Sequence, residues 1–225
     1  MANERDDNDI VLRVSPSQKA FVVEEHKPGD VLSYKEISPI DLYYAINKSY
    51  HSTIKLDSGL LPQNCIHVSI SSTEKHFVLW NRELYADVNY CGTEYPNFPL
   101  PRLVFGVRML PDGKVADCTM GVVADETPNL STKMFQYPFS NVSDFRVCVG
   151  NNTLPKYAKQ TALEHFPSYL LGLPDNDDSY RAGHNKAHLE HRELLNRLKN
   201  KDPAYYYTDV LIESGKTLND FINWR

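Results

Sequence analysis

Apolar and polar residues alternate cleanly in "CIHVSIS" (65–71), the pattern of a half-buried strand, and "HFVLW" (76–80) can pair with it across "STEK". "RLVFGVRML" (102–110) reads as a strong strand. "PDGK" (111–114) is a sharp turn signal, with Gly113 where a positive φ is cheap, and "VADCTMGVV" (115–123) returns as the hairpin partner. "STKMFQYPF" and "FRVCVG" add short extended segments, so the pattern predicts an antiparallel meander of four or more strands. "NYCGTEYPNFPLP" (89–101), rich in Pro, Gly and Asn, is expected to be loop.

Before the meander, "IVLRV" and "AFVVEEH" are two β-rich runs separated by "SPSQ", and "KPGD" closes a second turn. "SPIDLYYAINKSY" (38–50) predicts a helix with Ser38 as N-cap and Pro39 at the first helical position; Leu42, Tyr43 and Ile46 supply one buried face. After the meander the pattern turns helical. "LPKYAKQTALEHF" (154–166) and the longer "DDSYRAGHNKAHLEHRELLNRLKNK" (177–201) are predicted helices, the second acidic at its start and basic at its end, as the helix dipole prefers. Pro203 stops it, and "TLNDFINW" gives a last short turn. The expected architecture is α+β, a strand meander with flanking helices. Residues 1–9 form a flexible tail, 10–60 an N-terminal β-β-α unit, and 61–225 the core with its C-terminal helices.

Composition narrows the function classes. The 225 residues are 41% hydrophobic and 11% aromatic, enough to bury a real core. A net charge of −5 without any block of basic residues argues against nucleic acid as the main partner. No apolar run approaches the ~20 residues of a membrane helix, and "MANERDDNDI" lacks the apolar stretch of a signal peptide. A cytoplasmic location without membrane contact is the expectation, and no cofactor is implied. None of the four cysteines forms a C-x-x-C pair, which excludes a zinc ribbon or a thioredoxin-type motif. Cys65 and Cys118 sit in strand patterns and are expected in the core, whereas Cys91 lies in the Pro-Gly segment as an alternative reactive thiol.

The stretch "YPFSNVSDFRVCVG" (137–150) admits two readings of Cys148. Val147-Cys148-Val149 alternates like a half-buried strand, and a packed thiol would look the same. Alternatively Cys148 is a nucleophile with Asn141 as its electrostatic helper. "ETPNLSTKMFQYPFSNVSDFRVCVG" resembles the active-site region of ubiquitin-conjugating enzymes. There a Pro-initiated strand leads to a His-Pro-Asn turn, and the catalytic cysteine follows a Gly-containing loop. Pro128 matches the start of the strand, Phe139-Ser140-Asn141 the tripeptide, and Cys148 the nucleophile. The spacing is one residue short, the His and Pro are absent, and Phe145-Arg146 replaces the Gly-containing loop. Only the asparagine is retained, so the tripeptide's structural role must be met differently. Downstream, "LLGLPDNDDSY" offers Pro174, Asp177 and Asp178 in matching order.

More closely, "LLPQNCIHV", "HFVLWNREL", "LPRLVFGV" and "PFSNVSDFRVCVGN" resemble the bacterial family D of conjugating-enzyme relatives, the component called protein B in PRTRC gene sets. The resemblance implies a UBC-like core and a thioester carrier working with a ThiF-like activating enzyme, a ubiquitin-like modifier and the JAB-type peptidase of such sets. It implies Cys148 as the carrier thiol, Asn141 as hydrogen-bond donor to an oxyanion, and Asp178 as the carboxylate that orients or deprotonates the incoming lysine. A non-catalytic adaptor of the same fold, binding modifier or activating enzyme, is the alternative. A further reading takes His184, His188 and His191, at i, i+4 and i+7 of the predicted long helix, as a zinc face of a hydrolase. "PAYYYTD" (203–209) is an aromatic run expected to pack back on the sheet rather than to bind a partner.

Overall fold

The period-two segments become strands because each buries alternate side chains on opposite faces of one sheet. The structure, a computed structural model, describes residues 9–13, 21–27, 30–49 and 57–224. The expected tail up to residue 8 and the turns at 15–18 and 28–29 lie outside them. The chain divides into two compact units, one ending at Asp57 and the other beginning at Ser58.

In the first unit, β1 (Asp9–Arg13), β2 (Phe21–Lys27) and β3 (Asp30–Ile37) form an antiparallel sheet in the order β1-β2-β3, followed by α1 (Pro39–Ser49). The unit therefore has a third strand, "DVLSYKEI", beyond the two predicted. Ser38 caps α1: its hydroxyl accepts the Asp41 N–H at 3.1 Å and donates to the Asp41 carboxylate at 2.7 Å.

The second unit opens with β4 (Cys65–Ile70), β5 (Lys75–Asn81), β6 (Leu84–Tyr90), β7 (Thr93–Leu100), β8 (Leu103–Met109) and β9 (Val115–Val123). The short strands β10 (Lys133–Phe135), β11 (Val142–Ser143) and β12 (Arg146–Val147) follow. Then come α2 (Phe166–Leu171), α3 (His191–Leu198), α4 (Tyr205–Asp209), β13 (Glu213–Thr217) and α5 (Leu218–Ile222). The main sheet runs β11-β12-β9-β8-β5-β4, with β10 on the far half of β9 and β13 beside β10. This α+β arrangement of mostly antiparallel strands is the predicted class and is consistent with a UBC-like core.

Register assigns the two faces. Phe77, Val107 and Cys118 are partners across β5, β8 and β9, as are Val78, Gly106 and Thr119 one residue along. The first set points into the larger core, where Phe77, Leu79, Phe105 and Val107 are fully enclosed with Leu163, Phe166, Leu194, Leu195, Leu198 and Tyr206 from the helical part. Each such side chain contributes roughly 1.5–3 kcal/mol by leaving water. On the opposite face, α5 lays Leu218 and Phe221 over Val78, Val104, Val123, Met134 and Phe145. Gly106 is required there, since a Cβ would fall 2.2 Å from Thr119 Oγ1.

Three segments differ from their predicted form. Residues 89–101 are hairpin rather than loop: β6 and β7 pair as a two-stranded ribbon, and Cys91 and Gly92, at φ 47° and 75°, form the tight turn between them. The two-stranded ribbon leaves edges free, which tolerates Pro96 and Pro99. Residues 154–166 become helical only from Gln160, first as a 3₁₀ turn and then as α2. The long helix over 177–201 is limited to His191–Leu198, preceded by a single 3₁₀ turn at Ala182–His184. Asn185, 0% exposed, is the cause. Its amide donates to the Ala182 and Leu189 carbonyls at 3.0 and 3.1 Å, and its Oδ1 accepts the Leu189 N–H at 3.0 Å, holding the backbone in an open loop.

The zinc face is thereby overturned. His188 adopts φ 50°, outside any helix, and His191 is buried, so the three imidazoles share no helical face. Among the described residues no group of three or more His, Cys, Asp or Glu is arranged to hold a metal ion. The aromatic run 203–209 packs as expected, with Tyr206 fully buried and its hydroxyl on the Pro99 carbonyl at 2.8 Å. No helix of the described residues is long and apolar enough to cross a membrane.

Candidate active site

β11 and β12 form a miniature hairpin whose register pairs Val142 with Val147 and Ser143 with Arg146. Asp144 and Phe145 turn it, at φ 48° and 70°, the left-handed pair of a tight primed turn. A bulky residue at such φ is strained. Phe145 is held by burial: its ring meets Phe221 edge-on at 5.1 Å, and its carbonyl accepts the Met120 N–H at 2.8 Å. The Lys216 ammonium closes the outside of the turn, pairing with Asp144 and lying 5.1 Å over the Phe145 ring. Phe145 thus does by packing what a glycine would do by freedom.

One step down the hairpin, Asn141 and Cys148 face each other. The Cys148 N–H donates to the Asn141 carbonyl at 2.7 Å, and the Cys148 side chain is exposed. Exposure removes the packed-thiol reading: Cys148 is not a core residue. Asn141 itself is left-handed, at φ 61°, a conformation asparagine tolerates better than most residues. Its N–H donates to the Asp178 carbonyl at 2.8 Å, and its side-chain amide donates to Asp175 Oδ1 at 2.8 Å. These bonds hold the asparagine where the tripeptide lacks its His and Pro. Phe139, in the place of the histidine, is buried against Phe98, Tyr137 and Tyr206.

The carboxylate that shares a cavity with Cys148 is Asp175. It lines a small cavity of about 30 Å³ together with Cys148, Asn141, Ser140 and Tyr137, closed by apolar side chains of β6, β9 and α2. Burial raises the Asp175 carboxyl to about 6, against the opposing hydrogen bond of Asn141. Burial and the Asp175 charge together push the Tyr137 phenol well up, so it stays protonated. The backbone of Asp175 is fixed as a parallel bridge to Tyr90: its N–H donates to the Asn89 carbonyl at 2.7 Å and its carbonyl accepts the Cys91 N–H at 2.9 Å.

The sequence-derived triplet is thus brought partly together. Cys148 and Asn141 meet across the hairpin. Asp178 joins them through its main-chain carbonyl, while its side chain is exposed and accepts the Asn176 amide at 3.0 Å. Asp175, three residues earlier, was missed. Its signal in the sequence is its place as the first acidic residue after Pro174, whereas the family order points to Asp177 and Asp178. Cys91 is exposed at the β6–β7 turn, Cys65 is half-buried, and Cys118 is buried in the core.

Antiparallel strands with flanking helices, and an exposed cysteine bonded to an asparagine at the base of a hairpin, are consistent with a conjugating-enzyme-like protein. A model of prokaryotic E2 family D matches residues 43–209, and the chain belongs to that family. No curated protein and no solved structure matches it.

Proposed function

We propose that the protein carries a ubiquitin-like modifier as a thioester on Cys148, accepted from a ThiF-like activating enzyme, and passes it to a primary amine. The observation that supports this best is the bond between Cys148 and Asn141 across the hairpin, with the Asn141 amide bound to Asp175. Charging is thiol exchange: the Cys148 thiolate attacks the activating enzyme's thioester carbonyl, and that enzyme's cysteine leaves as thiolate. Discharge needs more. The amine nitrogen attacks the carbonyl carbon, negative charge collects on the oxygen, the carbon–sulfur bond breaks, and Cys148 departs with the electron pair.

Asn141 has two amide protons. One is held by Asp175, which fixes the amide with its nitrogen toward the site, and the second is left for the oxyanion. We assign the carboxylate role to Asp175 rather than to the Asp178 side chain, because Asp175 shares the cavity with Cys148. At about 6 its carboxyl is ionised at neutral pH yet more basic than an ordinary aspartate, a better match for taking a proton from an incoming lysine. The JAB-type peptidase of the same gene sets would then remove the modifier from its targets.

Charging tests the proposal. The full chain is incubated with ATP, its activating enzyme and its modifier, and intact mass is read with and without DTT, beside Cys148→Ser. A modifier-sized adduct that DTT removes, and that serine abolishes or converts to a DTT-resistant ester, is expected. Absence of an adduct with a competent activating enzyme would leave a non-catalytic adaptor.

A further inference from the structure

Helix α3 opens on His191, whose imidazole is enclosed to 2% exposure. Tyr180 stacks parallel on it at 4.5 Å, Tyr90 lies tilted at 4.3 Å, and Phe139 stands 6.0 Å away. Neither ring nitrogen has a hydrogen bond of normal length. Nδ1 stops 3.6 Å from Asp177 Oδ1, the same oxygen that accepts the Tyr90 hydroxyl at 2.7 Å. An enclosed imidazole without partners costs free energy that a phenylalanine in the same aromatic stack would not. The polar ring therefore has to be accounted for by what it faces.

It faces the loop that carries the acid. Asp177 lies between Asp175, whose carboxylate holds the Asn141 amide, and Asp178, whose carbonyl holds the Asn141 N–H. Wherever Asp177 sits, both anchors of Asn141 follow within a residue or two. The groups around the ring are Asp177, the Asn176 carbonyl, the Arg192 guanidinium and the Tyr90 and Tyr180 rings. Burial outweighs the Asp177 charge and keeps the imidazole neutral, with a single N–H to offer.

We infer that His191 is a positioning residue of the transfer site, its imidazole, 3.6 Å from the Asp177 carboxylate, and the Tyr90 hydroxyl on the same oxygen together seating Asp177 so that the loop presents Asp175 to Asn141 and Cys148. The inference rests on the thioester reading of Cys148. It concerns discharge onto an amine and not charging, since thiol exchange needs no carboxylate.

The experiment uses the full chain charged with modifier and followed by loss of the DTT-labile adduct at fixed neutral pH. Two acceptors are compared: free lysine, an ammonium that must lose a proton, and hydroxylamine, which attacks without help from a base. His191→Phe keeps the ring and deletes its nitrogens, and Asp177→Asn alters the solvent-facing end of the contact. Each is expected to slow discharge onto lysine by roughly two- to fivefold, the effect of one weak polar contact. Charging stays unchanged, hydroxylamine discharge falls less than lysine discharge, and the double variant loses no more than either single one, because both act on one contact. Should His191→Phe fail to fold, Asp177→Asn carries the test alone. Wild-type lysine discharge in the variants, or equal loss on both acceptors, would overturn the role of His191 while leaving the thioester reading intact. Failure of the wild-type chain to charge would overturn both.

Discussion

Replacing Asp175 with asparagine should make the protein more stable and less active at once. The carboxyl is raised from 3.8 to about 6 by burial, so the folded state holds its proton more tightly than the unfolded chain does. A carboxylate raised in this way favours the folded state fully below its unfolded pKa, and that advantage is lost as pH rises through about 6. At pH 7.5 the folded protein therefore carries an ionised group it would rather keep neutral. A shift of about two units corresponds to roughly 3 kcal/mol, an upper bound because the cavity opens beside an exposed thiol. Asparagine has the same shape, can still accept the Asn141 amide proton, and never ionises.

Urea unfolding of the wild-type chain and Asp175→Asn at pH 7.5 and at pH 4 reads the difference. The variant should be the more stable by up to ~3 kcal/mol at pH 7.5, and the gap should close toward pH 4. Discharge of the thioester onto lysine should fall at least 100-fold, at the lower end of what a positioned base contributes. The wild-type to variant rate ratio should be flat above about pH 6 and drop about tenfold per unit below it, as the carboxylate is protonated. A variant less stable than wild type at pH 7.5, or a ratio independent of pH, would refute the claim that Asp175 is a buried base.

Two further outcomes follow from the thiols and the buried amide. Iodoacetamide on the native chain at pH 7.5 should modify Cys91 and Cys148 first, Cys65 slowly and Cys118 not at all, because burial pushes the Cys118 thiol up to about 12; peptide mass spectrometry would detect a contrary order. Asn185→Ala should cost about 1–3 kcal/mol in denaturant unfolding, since it leaves the Leu189 N–H without its acceptor and removes one donor from each of the Ala182 and Leu189 carbonyls, whereas a loss under about 0.5 kcal/mol would mean the loop does not depend on it.

The sheet was legible because its signal is local. Alternation in β4, β5, β8 and β9 needs only neighbouring residues, and Gly113 marks its turn by its positive φ. The helical stretch misled for the converse reason. The run 177–201 has helical composition, but Asn185 is satisfied by bonds that open the backbone, and side-chain bonds of that kind leave no periodicity. β7 was hidden by its two prolines, which read as breakers until the strand is known to pair on one side only. In the site, Cys148 and Asn141 were readable as a pair, whereas the acid was not. Which of Asp175, Asp177 and Asp178 enters the cavity is decided by the bridge between Tyr90 and Asp175, two segments far apart in sequence.

That bridge and the strained hairpin together explain why so few polar groups can hold the thiol in place. Asn141, Asp144 and Phe145 all sit at left-handed φ, a conformation that a short isolated hairpin would not keep. Phe145 anchors the turn in the packing beneath α5, on the face of the sheet opposite the larger core, and Asn141 anchors the other end to the Asp175–Asp178 loop. The thiol is thereby suspended between two independent hydrophobic clusters. Exposure of Cys148 comes from a packed turn and not from a free loop, so the position of the thiol is set by packing. Loosening Phe145 would affect charging and discharge alike. On the proposed mechanism, loosening the loop at Asp177 or His191 would act chiefly on discharge onto an amine, the step that needs the carboxylate, and that difference separates the scaffold of the site from its chemistry.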